Sequence, residues 1–225
     1  MKQFLKKLFL PEGRQVRRVR GGLAKGMLME LDLHSQSQRY WGLDEREIMT
    51  EMKKLSLGCK SLIDVGANDG YYTMAFLKSS AERVVACEPG PSADVLRRNA
   101  AANGYELDQR FSIVSKPIGI GSEYLTITKL VEGLPQPILL KVDIEGGESD
   151  LLASSADCPS LSEMRWLIET HSPELETRCI DWLRSHAYQA RIIDNARWRL
   201  LLPELRPLRH NRWLIASPIQ SARAV

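Results

Sequence analysis

The sequence predicts an α/β fold with a mostly parallel sheet and helices on both of its faces. From residue 61 onward, short and nearly continuous apolar stretches alternate with helical segments, as expected for parallel strands buried on both faces. The 225 residues, of which 44% are hydrophobic and 26% charged, are enough for one domain with a full core. We divide the chain into a basic accessory segment, residues 1–42, and a main domain, residues 43–225.

The main domain is predicted to begin with the helix Glu45–Leu55, which Asp44 caps and Gly58 closes. Seven strands follow: Ser61–Val65, Arg83–Glu88, Phe111–Val114, Ile138–Asp143, Trp166–Glu169, Tyr188–Ile193 and Asn211–Ala216. Helices between them are expected over Tyr71–Leu77, Ala93–Ala102, Gly147–Ser154 and Leu175–His186, whereas residues 115–137 show no convincing long helix. Since no helix separates the last two strands, the final strand is predicted to insert antiparallel.

The N-terminal segment is strongly basic, whereas the rest of the chain is mildly acidic. Residues 1–26 contain eight Lys or Arg and one acid, Glu12, and residues 2–10 can form a short amphipathic helix. We interpret this segment as a solvated terminus or as a weak attachment to an anionic membrane surface or a polyanion. Residues 21–33 become alternately apolar and polar, which predicts a hairpin or an accessory strand.

The cysteine and hydropathy patterns point to a cytoplasmic protein. The four cysteines are widely spaced, without Cys-x-x-Cys or a Cys/His cluster, so we expect neither a zinc module nor a disulfide framework. No apolar run approaches the roughly 18–20 residues that a membrane span needs. The lysine-interrupted start also lacks the apolar core of a signal peptide. Peripheral membrane contact through the basic terminus is the alternative to a purely cytoplasmic location.

The stretch from Ser61 to Gly70 predicts a strand that runs into a ligand-binding glycine turn. Gly66 and Gly70 permit tight backbone geometry and close approach, and the helix that follows points unpaired N–H groups at a ligand. The spacing differs from the dinucleotide fingerprint Gly-x-Gly-x-x-Gly, and an acid, Asp64, precedes the first glycine. That acid would repel a pyrophosphate but would bind a cationic amine or a hydroxyl.

Acidic residues end three of the predicted strands: Asp64, Glu88 and Asp143. Open α/β sheets bind ligands outside the carboxyl ends of their strands, where the winding reverses. Glu88 stands where a carboxylate accepts hydrogen bonds from both ribose hydroxyls of a nucleoside; capping of the next turn is its alternative role. Together with the glycine turn, these acids predict a nucleoside that carries a cationic amino-acid tail, which is S-adenosylmethionine.

The stretches Asp64–Tyr72, Glu88–Pro89 and Lys141–Glu148 resemble the FkbM family of class I methyltransferases, and the last stretch is the most specific. The resemblance covers roughly residues 43–217 and implies a Rossmann-like seven-stranded fold with S-adenosylmethionine as methyl donor. Family members chiefly methylate hydroxyl oxygens of sugars, polyketides and related natural products. The segment between the third and fourth strands is shorter than in many members. We expect cofactor contacts from Asp64, Gly66, Ala67, Asn68, Gly70, Tyr71, Glu88, Pro89 and Asp143.

The acceptor side of the site is predicted around Asp143, which should face the methyl-transfer centre and accept or orient the acceptor's hydroxyl proton. Binding of the cofactor's amino group is its alternative role. His171 is the candidate general base, and Glu145 is a further catalytic candidate. Lys141, inside an apolar strand, needs an acidic partner, which we predict to be Glu169 or Glu145. Asp143, Glu169 and His171 could also hold a divalent metal, but we predict none, because certain oxygen ligands are few.

The sequence therefore predicts an S-adenosylmethionine-dependent O-methyltransferase with a small-molecule or glycan acceptor. A ribose 2′-hydroxyl methyltransferase acting on nucleic acid is the alternative, suggested by the basic N-terminus and the arginines at 197–212. The acidic stretch Asp143–Glu148 would repel phosphate and disfavours nucleic acid as a partner. A non-catalytic S-adenosylmethionine-binding module is a third interpretation, which the intact set of strand-end acids disfavours.

Overall fold

A seven-stranded sheet forms the centre of the computed structural model, which describes residues 12–196 and 210–219. The strands are β1 (Arg14–Arg18), β2 (Leu28–Asp32), β3 (Ser61–Val65), β4 (Arg83–Cys87), β5 (Phe111–Val114), β6 (Ile138–Val142), β7 (Met164–Thr170), β8 (Tyr188–Ile193) and β9 (Arg212–Pro218). The central sheet has the order β5-β4-β3-β6-β7-β9-β8, and β1 and β2 form a separate antiparallel pair. The predicted α/β fold and all seven predicted strands are confirmed, with ends that differ by up to two residues.

The helices of the described residues are α1 (Leu33–Trp41), α2 (Met49–Ser56), α3 (Tyr71–Leu77), α4 (Ser92–Ala102), α5 (Ile127–Leu130), α6 (Glu148–Ala153) and α7 (Pro173–Ser185). The four helices predicted between strands are confirmed as α3, α4, α6 and α7. Helix α7 begins where the Ser172 side chain accepts a hydrogen bond from the Leu175 N–H, at 3.1 Å, and Pro173 occupies the first turn. In the described part of the chain, no helix is both long and apolar enough to cross a membrane.

The winding of the sheet reverses between β3 and β6. The chain moves from β3 to β4 and β5 on one side, then returns to β6 and β7 on the other, and all of these pairings are parallel. Strand β9 lies antiparallel between β7 and β8, which confirms the prediction for the final strand. A crevice is therefore expected outside the carboxyl ends of β3 and β6.

Two apolar layers cover the two faces of the sheet. Every residue of β3 is buried, and its neighbouring side chains alternate between the layers, with Leu62 in one and Ile63 in the other. The strands therefore appear as continuous apolar runs in the sequence, because both faces are covered.

The predicted helix Glu45–Leu55 is wrong at its start. Glu45 has a left-handed backbone with φ +46°, a 3₁₀ turn spans Arg46–Ile48, and α2 begins only at Met49. Glu45 turns its buried side chain inward to accept a hydrogen bond from a tyrosine hydroxyl. The sequence pattern had treated it as an exposed acid of a first helical turn, and that assumption fails here.

The accessory segment contains a hairpin followed by a helix. Strand β2 confirms the accessory strand predicted within residues 21–33, and its alternation is seen in the buried side chains of Met29 and Leu31. Helix α1 was not predicted, because its stretch is mostly polar and buries only Leu33. The amphipathic helix predicted at residues 2–10 lies outside the described residues, and the domain division after residue 42 stays a prediction.

Residues 115–137 contain no long helix, as predicted. An isolated bridge joins Ile118 and Leu125, and α5 spans a single turn. The Thr126 side chain starts that turn by accepting a hydrogen bond from the Lys129 N–H, at 3.3 Å. This compact connection leads directly into β6.

Two asparagines, one in α4 and one directly after its last residue, hold the hairpin against the main domain. The Asn99 amide accepts a hydrogen bond from the Glu30 N–H, at 2.7 Å, and donates one to the Asp69 carbonyl, at 2.8 Å. The Asn103 amide exchanges hydrogen bonds with both backbone groups of Leu28, at 2.8 and 2.7 Å. The accessory hairpin is thus bound to the glycine turn through one buried side chain.

Replacement of Asn99 by Ala should lower the free energy of unfolding by about 1–3 kcal/mol, because it leaves buried backbone groups at Glu30 and Asp69 without partners. Chemical denaturation measures the change. Arg97→Ala, on the same helix, removes an exposed ion pair with Asp94 and a long, exposed hydrogen bond to Ser115, and it should stay within about 0.5 kcal/mol of the parent protein. Equal effects of the two substitutions would contradict the role given to Asn99.

Candidate functional site

The glycine turn after β3 lies against the end of β6. Gly66 has φ +76°, and a Cβ built on it would lie 1.9 Å from the carbonyl oxygen of Asp143. Its N–H and that of Ala67 both donate to the Cys87 carbonyl, at 3.0 and 3.1 Å. The close approach expected here is therefore made by the backbone of a neighbouring strand end, and glycine is required for that contact.

The turn ends at Gly70, which precedes α3 with φ +87°. A Cβ on Gly70 would lie 2.9 Å from Leu96 Cγ, so the absence of a side chain lets α3 start against α4. Asn68 is exposed at the top of the turn and has φ +49°. Because α3 begins directly after this turn, its first N–H groups point out of the carboxyl edge of the sheet.

Glu88 joins the turn after β3 to the turn after β4. One carboxylate oxygen accepts a hydrogen bond from the Asn68 N–H, and the other accepts one from the Gly90 N–H, both at 2.8 Å. The side chain is half-buried, so it keeps access to solvent above the strand end. Its predicted contact with ribose hydroxyls stays a prediction, and the structure adds a definite role as a link between two loops.

Lys141 is buried between the ends of β3 and β6. Its ammonium lies 3.3 Å from Asp64 Oδ1, 3.4 Å from Asp143 Oδ2 and 4.8 Å from the centre of the Tyr72 ring. Burial lowers the pKa of Lys141, but the surrounding carboxylates more than offset this effect, and the net shift is upward. The prediction that Glu169 or Glu145 is the ion-pair partner of Lys141 is wrong, because its partners come from the adjacent strand and from its own strand end.

Asp64 is fully buried beneath the turn. Its second carboxylate oxygen accepts a hydrogen bond from the Thr73 hydroxyl, at 2.7 Å. The cationic group that Asp64 meets in the structure is therefore Lys141, and a direct cofactor contact stays a prediction. Tyr71, another expected cofactor contact, packs its buried ring 5.3 Å from the ring of Tyr72 and 5.8 Å from the Arg39 guanidinium, and its cofactor contact also stays a prediction.

Glu45 is a site residue that the sequence analysis missed. It is buried, and the Tyr72 hydroxyl donates a hydrogen bond to its carboxylate. Burial, with repulsion from Asp44 and Asp143, raises the pKa of Glu45 to about 7. The sequence gives no signal for this position, because an acid in the first turn of a predicted helix is normally exposed.

Asp143, Glu169 and His171 meet at the carboxyl ends of β6 and β7. His171 Nε2 lies 3.7 Å from Asp143 Oδ1 and 4.0 Å from Glu169 Oε2. Asp143 and His171 reach the surface, with side chains 19% and 8% exposed, whereas Glu169 is fully buried. Two of the three residues predicted to act on the acceptor, Asp143 and His171, are thus brought together, with a buried carboxylate beneath them.

Glu148 is a second residue that the sequence analysis missed. It stands in the first turn of α6, but its side chain is fully buried, and its Oε1 lies 2.5 Å from His171 Nδ1. Burial lowers the pKa of His171, but the hydrogen bond with Glu148 and the charges of the nearby acids raise it by more, so the net shift of the pKa is upward. Glu148, the last residue of the Lys141–Glu148 stretch, therefore orients the imidazole of His171.

Burial, followed by repulsion from Asp143 and Glu45, raises the pKa of Glu169 to about 11. A hydrogen bond with the Asp143 side chain contributes to this shift, and no N–H or alcohol donor reaches the Glu169 oxygens within the described ranges. Of the remaining predicted site residues, Pro89 and Glu145 are exposed beside this edge, whereas Ala67 is buried within the glycine turn. Their functional assignments stay predictions.

The accessory segment contributes to the charge balance of the turn. Arg39 of α1 pairs with Asp69, the buried acid of the glycine turn, at 2.8 Å, and with Asp44 at 2.9 Å. Gln36 donates a further hydrogen bond to Asp69. The turn is therefore stabilised from outside the central sheet.

A broad groove of about 1180 Å³ lies at the opposite edge of the sheet. Pro137, Glu163 and Ser217 are among its lining residues, and these positions lie at the amino ends of β6 and β7 and beside the end of the antiparallel β9. The acids and glycine turn described above all occupy the carboxyl edge. The groove therefore has no part in this candidate site.

The parallel sheet, its switch point between β3 and β6 and the antiparallel β9 define the Rossmann-like fold seen in methyltransferase structures. The putative methyltransferase yhhF from Escherichia coli has a TM-score of 0.56 and 13% identity, over 92% of this chain and 100% of that chain. TYW2 from M. jannaschii, solved in complex with AdoMet, has a TM-score of 0.51 and 15% identity, over 94% of this chain and 89% of that chain.

A methyltransferase FkbM from Methylobacillus flagellatus is also similar, with a TM-score of 0.53 and 18% identity over 70% of this chain. The aligned region is 43% of that protein's chain, so the present chain spans less than half of its length. No protein-family model matches the sequence, and no curated protein matches it. At these identities, the likeness shows a shared fold.

Replacement of Gly66 by Ala should destabilise the protein more than the same change at Gly58. Both glycines have φ +76°, but the space around Gly58 is open, whereas a Cβ at Gly66 meets the Asp143 carbonyl. Gly58→Ala should cost about 1–2 kcal/mol for the left-handed backbone alone. Gly66→Ala should cost about 1–3 kcal/mol more for the steric conflict. Equal denaturation midpoints for the two variants would show that the strand ends are free to move apart.

Replacement of Lys141 by Met should lower the free energy of unfolding by about 3–5 kcal/mol, because it leaves Asp64 and Asp143 without their buried cation. Lys54→Met removes an exposed lysine paired with Glu51 and should cost at most about 1 kcal/mol. Urea titrations of the two variants give the comparison. A Lys141→Met protein as stable as the parent would contradict the assignment of Lys141 as the cation that holds the two strand ends.

Proposed function

We propose that this protein is an S-adenosylmethionine-dependent methyltransferase that transfers a methyl group to a hydroxyl oxygen of a sugar, glycan or natural-product acceptor. The shared fold supports it, since the similar structures include methyltransferases and one complex with AdoMet. The motif resemblance to the FkbM family supports the O-methyl specificity. A cytoplasmic location and the lack of a nucleic-acid partner remain parts of this proposal.

The observation that carries the proposal is the position of the motif residues around the switch point. Gly66 and Asp143 lie in contact there, and Glu88 stands beside them above the next strand. A nucleoside whose ribose binds Glu88 would place its amino-acid tail over the end of β3, beside Asp143. The N–H groups at the start of α3 are suited to the carboxylate of that tail.

Asp143 and His171 form the acceptor side of the proposed site. In the reaction, the acceptor oxygen forms a bond to the methyl carbon while the carbon–sulfur bond breaks, and the electron pair of that bond returns to sulfur. The hydroxyl proton must pass to a base, and Asp143, His171 and the exposed Glu145 are the groups assigned to this end. Methyl transfer from a sulfonium depends mainly on alignment and requires few catalytic groups.

The nucleic-acid alternative has one structural observation in its favour. Arg14, Arg17 and Arg18 are exposed on β1, where they could contact phosphates. The acids at the carboxyl edge oppose phosphate binding next to the reaction centre. Salt-sensitive binding of RNA in the absence of any small-molecule turnover would favour this alternative over the proposed acceptor.

S-adenosylmethionine, or its demethylated product, should raise the thermal stability of the full chain. A ligand at 100 times its dissociation constant adds about 2.7 kcal/mol of stability, which differential scanning fluorimetry detects. Glu88→Gln keeps the size of the side chain but removes the charged acceptor, and it should weaken binding at least tenfold. Glu82→Gln, at an exposed acid before β4, is the matched control and should bind as the parent does.

The absence of a thermal shift with either ligand would contradict the cofactor assignment. Binding without methyl transfer to any hydroxyl acceptor in a screen of sugars and natural products would favour the non-catalytic module. A labelled methyl group recovered on an acceptor oxygen would support the enzyme.

A further inference from the structure

The orientation of the His171 ring is set by the buried carboxylate of Glu148. Glu148 Oε1 lies 2.5 Å from Nδ1, so the Nδ1–H donates a hydrogen bond to this carboxylate. The other ring nitrogen, Nε2, therefore faces Asp143 and Glu169. Nε2 has no hydrogen-bond partner among the described residues. Metal-binding histidines in proteins commonly donate their other ring N–H to a carboxylate in this way.

Nε2 of His171 faces two carboxylates rather than hydrogen-bond donors. Asp143 Oδ1 and Glu169 Oε2 lie 3.7 and 4.0 Å away, and one ligand atom from each of the three side chains can be chosen so that all lie within 4.8 Å of one another. An octahedral ion with ligand distances of about 2.1 Å holds adjacent ligand atoms about 3.0 Å apart. Side-chain movements of less than about 1 Å would close the set around one ion.

Glu169 supplies an independent observation that points to a ligand. It is fully buried, its carboxyl group faces and hydrogen-bonds the Asp143 carboxylate, and within residues 12–196 and 210–219 no N–H, hydroxyl, Lys or Arg donor reaches its oxygens. Two facing carboxylates in a buried position are costly unless a proton or a cation lies between them. Lys141 lies in the same region, but its short contacts are with Asp64 and Asp143.

We propose that Asp143, Glu169 and His171 bind one divalent metal ion, such as Mn²⁺ or Mg²⁺, at the carboxyl ends of β6 and β7. Two carboxylates and one imidazole suit a hard or borderline divalent cation. Glu148 acts from behind as the positioning residue of His171. The site differs from our expectation that no metal is bound, which rested on the small number of oxygen ligands visible in the sequence.

The metal would determine the class of acceptor, and this step rests on the proposed methyl transfer. Three protein ligands leave positions for two acceptor oxygens, as in a vicinal diol or a 2-hydroxycarboxylate. The cation would make the bound hydroxyl more acidic, and its proton would leave to bulk water at the exposed rim of the site. In the methyl transfer, the acceptor oxygen would then bond to the methyl carbon while the carbon–sulfur bond breaks, and the electron pair of that bond would go to sulfur.

Mn²⁺ binding to the full chain, stripped of metals with a chelator, tests the site directly. Electron paramagnetic resonance of free Mn²⁺ should show one ion bound per chain, and pulsed measurements should detect one coordinated nitrogen. Glu169→Gln and His171→Asn should each weaken binding at least tenfold, and the second variant should lose the nitrogen signal. Glu148→Gln should weaken binding about 10–100-fold while keeping that signal.

Two substitutions away from the cluster serve as controls. Glu163→Gln, at an exposed acid of the opposite edge, and His186→Asn, at a histidine stacked on Trp182, should leave Mn²⁺ binding unchanged. Since Gln replaces Glu169 with a neutral side chain of the same size, circular dichroism should show a folded variant. Failure of the parent chain to bind Mn²⁺, or equal binding by Glu169→Gln, would overturn the metal site.

The outcomes separate the metal site from the proposed function. Binding of S-adenosylmethionine without binding of Mn²⁺ would overturn the metal site alone, and Glu169 would then be a buried protonated acid. Binding of Mn²⁺ with the nitrogen signal, but without S-adenosylmethionine binding, would support the metal site and overturn the methyltransferase. Equal turnover of a diol and its monodeoxy analogue would overturn chelation of the acceptor by two oxygens.

Discussion

The carboxyl edge of the sheet depends on the buried ammonium of Lys141. Asp64 and Lys141 lie directly opposite each other in the register of β3 and β6, and Asp143 follows two residues later. A buried lysine costs several kcal/mol unless charged partners compensate it, and these two aspartates provide that compensation. Because they belong to different strand ends, the ion pairs hold both ends together across the switch point and orient the Asp143 carboxylate.

The rest of the site is arranged around an excess of buried acids. Three buried glutamates are each compensated by a different group: Glu45 by a tyrosine hydroxyl, Glu148 by the imidazole of His171, and Glu169, in our proposal, by a metal ion. Arg39 from the accessory segment compensates the acid of the glycine turn in the same manner. The electrostatic balance of the central domain thus extends into the N-terminal hairpin and its helix.

Much of the fold could be predicted, because strands buried on both faces leave continuous apolar runs between caps and glycines. The local structure at Glu45 could not be predicted. An acid at this position is typical of an ordinary helix start, and nothing nearby in the sequence indicates its left-handed backbone or its buried side chain. Helix α1 was not predicted because its stretch is mostly polar. Its side chains Arg39 and Gln36 contact Asp69, in the turn that precedes α3. The partners of Lys141 were misassigned because they depend on which strands are adjacent and in which register, and that information is spread over the whole chain.

The sequence by itself determined the alternation of strands and helices, the glycine turn and the acids at the strand ends, since each arises from local spacing. The tertiary structure alone decided which acids meet. It placed Glu148 behind His171, Asp64 against Lys141 and Glu169 beneath Asp143, across sequence separations of 23, 77 and 26 residues. Side chains so far apart in sequence become neighbours only through strand order and register. Because they are buried together, the charge of each depends on its neighbours.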